Sequence, residues 1–221
     1  YDALLEFGRS CDLVTIEIEN VNVEALYQLE REGIKVFPQP SVIELIQDKR
    51  KQKQFYKENN IPTADFVLVE NAKDVKNHAS FLPAFNKLGK EGYDGRGVQR
   101  LNNLDDLEKA FDKPGLLEKL VDFEKELSVI IARNEKGEIR AFPTVELVFH
   151  PEANLVEYLF SPARIPEEKA VESMELAHKV INSLNMVGLL AVEMFLDKEG
   201  NILVNEIAPR PHNSGHQTIE A

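Results

Sequence analysis

The sequence predicts a mixed α+β and α/β protein, and three observations carry that prediction. A strand–helix–strand pattern fills the first forty residues; short strands interleaved with one helix follow Pro62; and two apolar runs, Leu189 to Leu196 and Ile202 to Ile207, flank Asp-Lys-Glu-Gly-Asn as the arms of an antiparallel hairpin. At 221 residues the chain can bury a sizeable core, as one large domain or two small ones.

In chain order, Asp12 to Glu19 (DLVTIEIE) alternates as a strand does, Asn22 caps a helix carrying Ala25, Leu26 and Leu29, and Gly33 ends it before a strand from Ile34 to Phe37. Strand, helix and strand in that order predict a parallel sheet. Pro38 and Pro40 then punctuate the chain and place a boundary there. Residues 1–40 read as the remnant of an N-terminal α/β domain and 41–221 as the main domain. Ser41-Val-Ile-Glu44 has the spacing of a capping box, and Asp48-Lys-Arg-Lys-Gln-Lys-Gln-Phe-Tyr-Lys continues as a basic helix.

From Pro62, strands at Asp65–Val69, Ala84–Leu88, Val98–Leu101 and Leu116–Leu120, with a helix from Leu104 to Phe111, predict a small unit spanning 62–121; a larger one covers 122–221. There Asn134-Glu-Lys-Gly-Glu138 turns Leu127–Ala132 back into Ile139–Val148, and Leu155–Phe160 adds a strand. Pro166 opens a helix whose apolar stripe is Val171, Met174, Ala177, Val180, Ile181 and Leu184, up to the breaker Gly188.

Composition narrows the function classes. With 26 Lys and Arg against 38 Asp and Glu, the net charge of −12 argues against a nucleic-acid surface or an anionic membrane as partner. No run reaches membrane-spanning length. The single cysteine, Cys11, permits no internal disulfide and fits a reducing, cytoplasmic setting. Opening on Tyr1 and closing on Glu220-Ala221, the sequence reads as a piece of a longer chain.

Three stretches carry chemistry. Pairing Asp197 with Ile202 and counting back along both arms sets Glu193 opposite Glu206, two carboxylates roughly 5 Å apart whose repulsion a divalent cation would relieve. Mg²⁺ is held by one or two carboxylates plus substrate phosphates, so the pair points to a metal–nucleotide site; an exposed hairpin whose acids face water is the plain alternative. Ala208 to His216 (APRPHNSGH) crowds Arg210, His212, Asn213, Ser214 and His216 into seven positions fixed by two prolines, which suits a small anionic, hydroxylated ligand. Gly89-Lys-Glu-Gly-Tyr-Asp-Gly-Arg-Gly97 has four glycines in nine residues beside Lys87, Lys90 and Arg96, a loop whose amides can close over phosphate, although it matches neither the Walker A nor the dinucleotide pattern.

The order of basic helix, Lys87 strand, GYDGRG loop at 92–97, Glu118 linker, Glu126 and Glu193/Glu206 hairpin resembles the ATP-grasp superfamily. GYDGRG together with NEIAPRPHNSGH at 205–216, VTIEIENV at 14–21 and ELSVIIAR at 126–133 looks like the branch that carboxylates an aminoimidazole ribonucleotide in purine biosynthesis. The resemblance implies an ATP-grasp fold behind the remnant of a biotin-carboxylase-like N-terminal domain, with a C-terminal domain lying outside this stretch. It implies a ligase using ATP, Mg²⁺ (or Mn²⁺) and bicarbonate, a homodimer, and a mutase that takes the product. ATP-binding residues would be Lys49, Lys87, Gly92, Tyr93, Gly95, Arg96, Gly97, Glu118, Lys119, Val121 and Glu126. Metal would sit on Glu193 and Glu206. Glu19, Tyr93, Asp94, Arg210, His212, Asn213 and Ser214 would hold substrate, with Asp94, Arg210 and His212 catalytic; His212 serves there either as a base for the amine or as a hydrogen-bond donor. Ala208 departs from the asparagine that many members carry two residues after the second metal-binding glutamate.

Overall fold

A computed structural model describes residues 1–90, 92, 97–150 and 156–219. The chain divides into two compact units: 1–44 with 123–221, and 45–122.

The first unit opens with α1 (Asp2–Gly8), β1 (Leu13–Val14), α2 (Val23–Arg31), β2 (Lys35–Val36) and α3 (Pro40–Ile46). β1 and β2 pair in parallel, as the strand–helix–strand order predicts. Asn22 caps α2 by accepting from the Ala25 N–H at 2.9 Å. Both strands are shorter than the sequence predicts, since Thr15 to Glu19 leave the ladder and Glu19 turns to an arginine described below. Leu5, Val14, Ile16, Leu26, Leu29, Val36 and Ile43 bury a small core between them. Pro40 takes the first position of α3, so Ser41 lies inside the helix and does not cap it.

The second unit holds α4 (Lys49–Glu58), β3 (Phe66–Val69), α5 (Ala72–Val75), β4 (Ala84–Leu88), β5 (Val98–Leu101) and β6 (Gly115–Lys119). Asp48 starts α4 anew by accepting from the Arg50 N–H at 3.0 Å, which breaks the basic stretch from α3. The strands form an antiparallel sheet in the order β3-β6-β4-β5. Leu104–Lys109 is a 3₁₀ turn where the sequence predicts an α-helix. Asn103 accepts from the Asp105 N–H and Asp106 from the Asn102 N–H, both at 2.8 Å, so side chains compete with the helical ladder. Gly115 has its place by close approach: a Cβ there would stand 2.2 Å from the Lys87 carbonyl oxygen on β4. Gly115→Ala should therefore cost about 1–3 kcal/mol, because the obstacle is ladder backbone with nowhere to move. A chemical-denaturation midpoint unchanged from the parent would remove this reading.

The first unit resumes with β7 (Phe123–Arg133), β8 (Ile139–Ala141), β9 (Val145–Phe149), β10 (Val156–Phe160), α6 (Glu167–Ser183), β11 (Gly188–Asp197) and β12 (Ile202–Ala208). The sheet runs β10-β9-β7-β11-β12, with β8 on the far half of β7; Pro143 divides the single arm expected over Ile139 to Val148 into β8 and β9. α6 packs against β7, β11 and β12. Its buried residues are Ser173, Leu176, Ala177, Val180 and Ile181, whereas Val171, predicted as core, is 43% exposed. Ser173 accounts for part of the shift, since its hydroxyl bonds Thr144 Oγ1 at 2.7 Å on the buried side. No helix among the described residues is long and apolar enough to cross a membrane.

Candidate active site

Side chains alternate across a sheet, and in the first unit one face of β7 and β11 supplies Leu127, Val129, Ile131, Leu190, Val192 and Met194, all buried. The other face carries Glu126, Ser128 and Glu193. On β12 simple alternation would align Glu206 with Ile202 and Val204, both buried in the core. A bulge prevents this. Leu196 pairs with Ile202 and Met194 with Val204, but Glu193 pairs with Glu206, leaving Asn205 as the extra residue. The Asp197–Ile202 pairing assumed from the sequence is thus off by one, and the bulge restores the opposition of the two glutamates. Asp197 instead closes the turn, accepting from the N–H groups of Glu199 and Asn201 at 2.9 and 2.8 Å.

Glu206 is exposed and Glu193 half-buried, so a cation has access to the pair. Glu126 joins them on the same face. Burial, beside the stacked rings of Phe123 and Phe195 at 4.8 Å, and then the charge of Glu206 push its carboxyl up from 4.5 to about 7. Among the described residues no group of three or more His, Cys, Asp or Glu could by itself hold a metal. Two hard oxygen donors on one accessible face fit Mg²⁺, which leaves other positions to water and phosphate.

The raised value predicts a pH effect. Because the folded state favours protonated Glu126, its contribution is full below about 4.5 and is lost as pH rises through about 7. Relative to Glu126→Gln, the metal-free parent should lose up to roughly 3 kcal/mol across that window. Parallel stability–pH curves would show that Glu126 titrates normally.

The turn after β12 folds onto this face. Arg210 Nε donates to Glu19 Oε1 at 2.7 Å, and its Nη1 to the Pro211 carbonyl at 2.9 Å. His212 Nε2 stands 3.5 Å from Glu193 Oε1, while Nδ1 accepts from the Ser214 N–H at 3.3 Å. Burial, then Arg210, lowers the His212 pKa. Ser214 is fully buried and bonds Ser128 Oγ at 2.8 Å; Asn213 is exposed. Glu19, Arg210, His212, Glu193 and Glu206 are thus gathered in one unit.

In the second unit Glu118 on β6 is 3% exposed and lies between two lysines. Lys87 on β4 bonds it directly, and Lys53 Nζ approaches the other oxygen to 2.5 Å. Burial would push the Glu118 carboxyl up, but Lys87 and Lys53 hold it below the usual carboxylate range. Burial pushes the Lys53 ammonium down. Two lysines against one carboxylate leave a positive excess, the sign that phosphate requires. Lys49 begins α4, its N–H donating to the Gly89 carbonyl at 2.7 Å. Lys119 Nζ lies 4.7 Å from the centre of the Phe81 ring, and Val121 follows β6 half-buried. Gly92 and Gly97 flank the loop, with Gly97 at φ 76°; Tyr93, Asp94, Gly95 and Arg96 lie outside the described residues.

Sequence reasoning passed over Lys53 and Ser128. Lys53 follows Lys49 by one helical turn and so shares its face of α4, a spacing visible in the basic run. Ser128 is the one hydroxyl in the strand ELSVIIAR, at the parity of Glu126.

Comparison with known proteins identifies the family. The ribonucleotide synthetase preATP-grasp domain matches residues 1–47 and the ATP-grasp domain residues 54–221. Phosphoribosylaminoimidazole carboxylase of Ogataea methanolica is 38% identical over 228 residues, 99% of this chain and 41% of that protein. The crystal structure of N5-carboxyaminoimidazole ribonucleotide synthetase from Thermotoga maritima superposes with a TM-score of 0.87 at 41% identity, covering 100% of this chain and 57% of that one. N5-carboxyaminoimidazole synthase from Aspergillus clavatus, in complex with ADP and 5-aminoimidazole ribonucleotide, gives a TM-score of 0.89 at 33% identity, covering 99% and 58%. The chain therefore spans 41% to 58% of the length of these relatives. It belongs to the ATP-grasp family, on the branch of the N5-carboxyaminoimidazole ribonucleotide synthetases.

Proposed function

We propose that the protein of which this chain is part carboxylates 5-aminoimidazole ribonucleotide at the expense of ATP and bicarbonate. The observation that supports the reading is the opposed Glu193 and Glu206 beside the Arg210–Ser214 turn, two carboxylates and a cluster of polar side chains gathered at one sheet face. In the reaction a bicarbonate oxygen attacks the γ-phosphorus and ADP departs, giving carboxyphosphate; the exocyclic amine then attacks the carboxyl carbon and phosphate leaves with loss of an amine proton. Mg²⁺, or Mn²⁺ in its place, would neutralise charge on the transferring phosphoryl group when bound at Glu193 and Glu206.

The chain's own residues bind, orient and shield. Lys49, Lys87 and Lys53 face the phosphates, with Glu118 paired to the last two and fixing them. Glu118, Lys119, Val121 and Glu126 take the adenosine. Gly92 to Gly97 close over the nucleotide to exclude water from carboxyphosphate, which hydrolyses readily. Tyr93 and Asp94 serve the aminoimidazole acceptor. Arg210, His212 and Asn213 hold bicarbonate and acceptor, and Glu19 pins Arg210 while reaching towards the ribonucleotide. Ser214 orients His212. We also propose that the whole protein is a cytoplasmic homodimer and that a mutase consumes its product.

The test is ADP release by the full-length protein with Mg-ATP, with and without bicarbonate and 5-aminoimidazole ribonucleotide. Stimulation requiring both is expected. Release indifferent to the ribonucleotide would assign an ATP-grasp ligase with another acceptor and overturn the reading.

A further inference from the structure

The Ser214–His212 contact continues one step further on the site face, to a residue with no part in the reaction as written above. Ser128 Oγ on β7 lies 2.8 Å from Ser214 Oγ, and Ser214 Oγ lies 2.9 Å from His212 Nδ1. Both serines have zero exposure, so no solvent competes for their hydroxyls. The directions of these bonds follow from one fixed donor. The backbone N–H of Ser214 points at His212 Nδ1 at 3.3 Å, so that nitrogen must offer a lone pair. With Nδ1 as acceptor, the Ser214 hydroxyl also donates to it, and the Ser128 hydroxyl donates in turn to Ser214. With Nδ1 accepting, the ring proton lies on Nε2, the nitrogen 3.5 Å from Glu193.

We propose that Ser128 is a positioning residue which, through Ser214, holds His212 as an Nε2–H donor towards the carboxyl oxygens of bound bicarbonate and carboxyphosphate. It rests on the carboxylation reading above. His212 then presents no lone pair to the reacting amine, since its basic nitrogen is turned inward and occupied. The residue binds and polarises a carboxyl group; it does not act as a base. The same logic explains why the apolar run Leu127 to Ala132 is interrupted by a serine at the position directly opposite Glu193. Alanine there would pack as well, but would leave the Ser214 hydroxyl without its donor.

The experiment uses full-length protein labelled with ¹⁵N at histidine, with His212 assigned from the signal lost in His212→Gln. Long-range ¹H–¹⁵N correlation at pH 8 should show His212 Nδ1 as an unprotonated, hydrogen-bonded nitrogen and Nε2 as the protonated one. Ser128→Ala should move the Nδ1 resonance and lower kcat about tenfold, with KM for ATP within about twofold of the parent. Ser128→Thr, which keeps the hydroxyl, should return both towards the parent. A parent ring protonated at Nδ1 would overturn the proposal whatever the variants do. So would a Ser128→Ala enzyme with unchanged His212 resonances and unchanged kcat. Absence of ribonucleotide-stimulated ADP release would instead strike the carboxylation reading, while the nitrogen spectrum still decides the relay.

Discussion

Glu118→Ala should lower stability by about 3–5 kcal/mol, because it removes the carboxylate that pairs with both Lys53 and Lys87 and leaves two ammonium groups facing each other out of water. For a chain of this size that loss corresponds to a fall of roughly 10 °C in melting temperature. Glu118→Gln should recover part of it by keeping a hydrogen-bond acceptor. Replacing Glu118 and both lysines together with apolar residues should be far milder than the single change, since no charge is then stranded. Thermal unfolding of the three variants checks this. A Glu118→Ala melting temperature within two or three degrees of the parent would mean that water reaches the lysines, and that the burial of the trio is overstated.

Glu206→Ala should reduce ATP turnover by about a thousandfold or more, while the metal-free protein melts at or slightly above the parent temperature. The two halves of this expectation have one cause. Glu206 stands opposite Glu193, and its charge helps to push Glu126 up to about 7, so removing it relieves like-charge repulsion in the absence of a cation. The Glu126 carboxyl should then titrate at a lower pH, which a carboxyl-selective NMR titration reads directly. If melting in the presence of a chelator fell several degrees, Glu206 would be a structural residue and the cation site would need other ligands.

How much of this was legible from the residues alone varies with the physics of each feature. The β11–β12 hairpin was plain, because strand periodicity and a Gly-containing turn are local signals. The opposition of Glu193 and Glu206 was also reachable by counting, yet the count assumed a straight register, and the real path runs through a bulge at Asn205 that no local pattern marks. α2 followed from Asn22 and its apolar triplet, whereas β1 could not be trimmed to two residues from sequence, since Glu19 leaves the strand to meet Arg210, 191 positions later. Lys53 was hidden among the like-charged side chains of α4. Only the partner on β6 sets it apart, and that partner is remote in sequence. Ser128 was invisible for the same reason: one hydroxyl in a strand means little until Ser214 is folded beside it.

The division of the chain also sets an order of events during synthesis. Residues 45–122 are one uninterrupted stretch inserted into a unit made from both flanks. On the ribosome, the inserted unit is complete before any of β7 to β12 exists. The first segment emerges earlier still, with a small core of its own, but Gln39 must hydrogen-bond Val187 and Asn185, the first of them 148 positions downstream. At about 5–20 residues per second that contact is delayed by roughly 7 to 30 s. Slow translation through 123–187 should therefore prolong the time Gln39 spends without Asn185 and Val187, and leave the inserted unit's folding untouched.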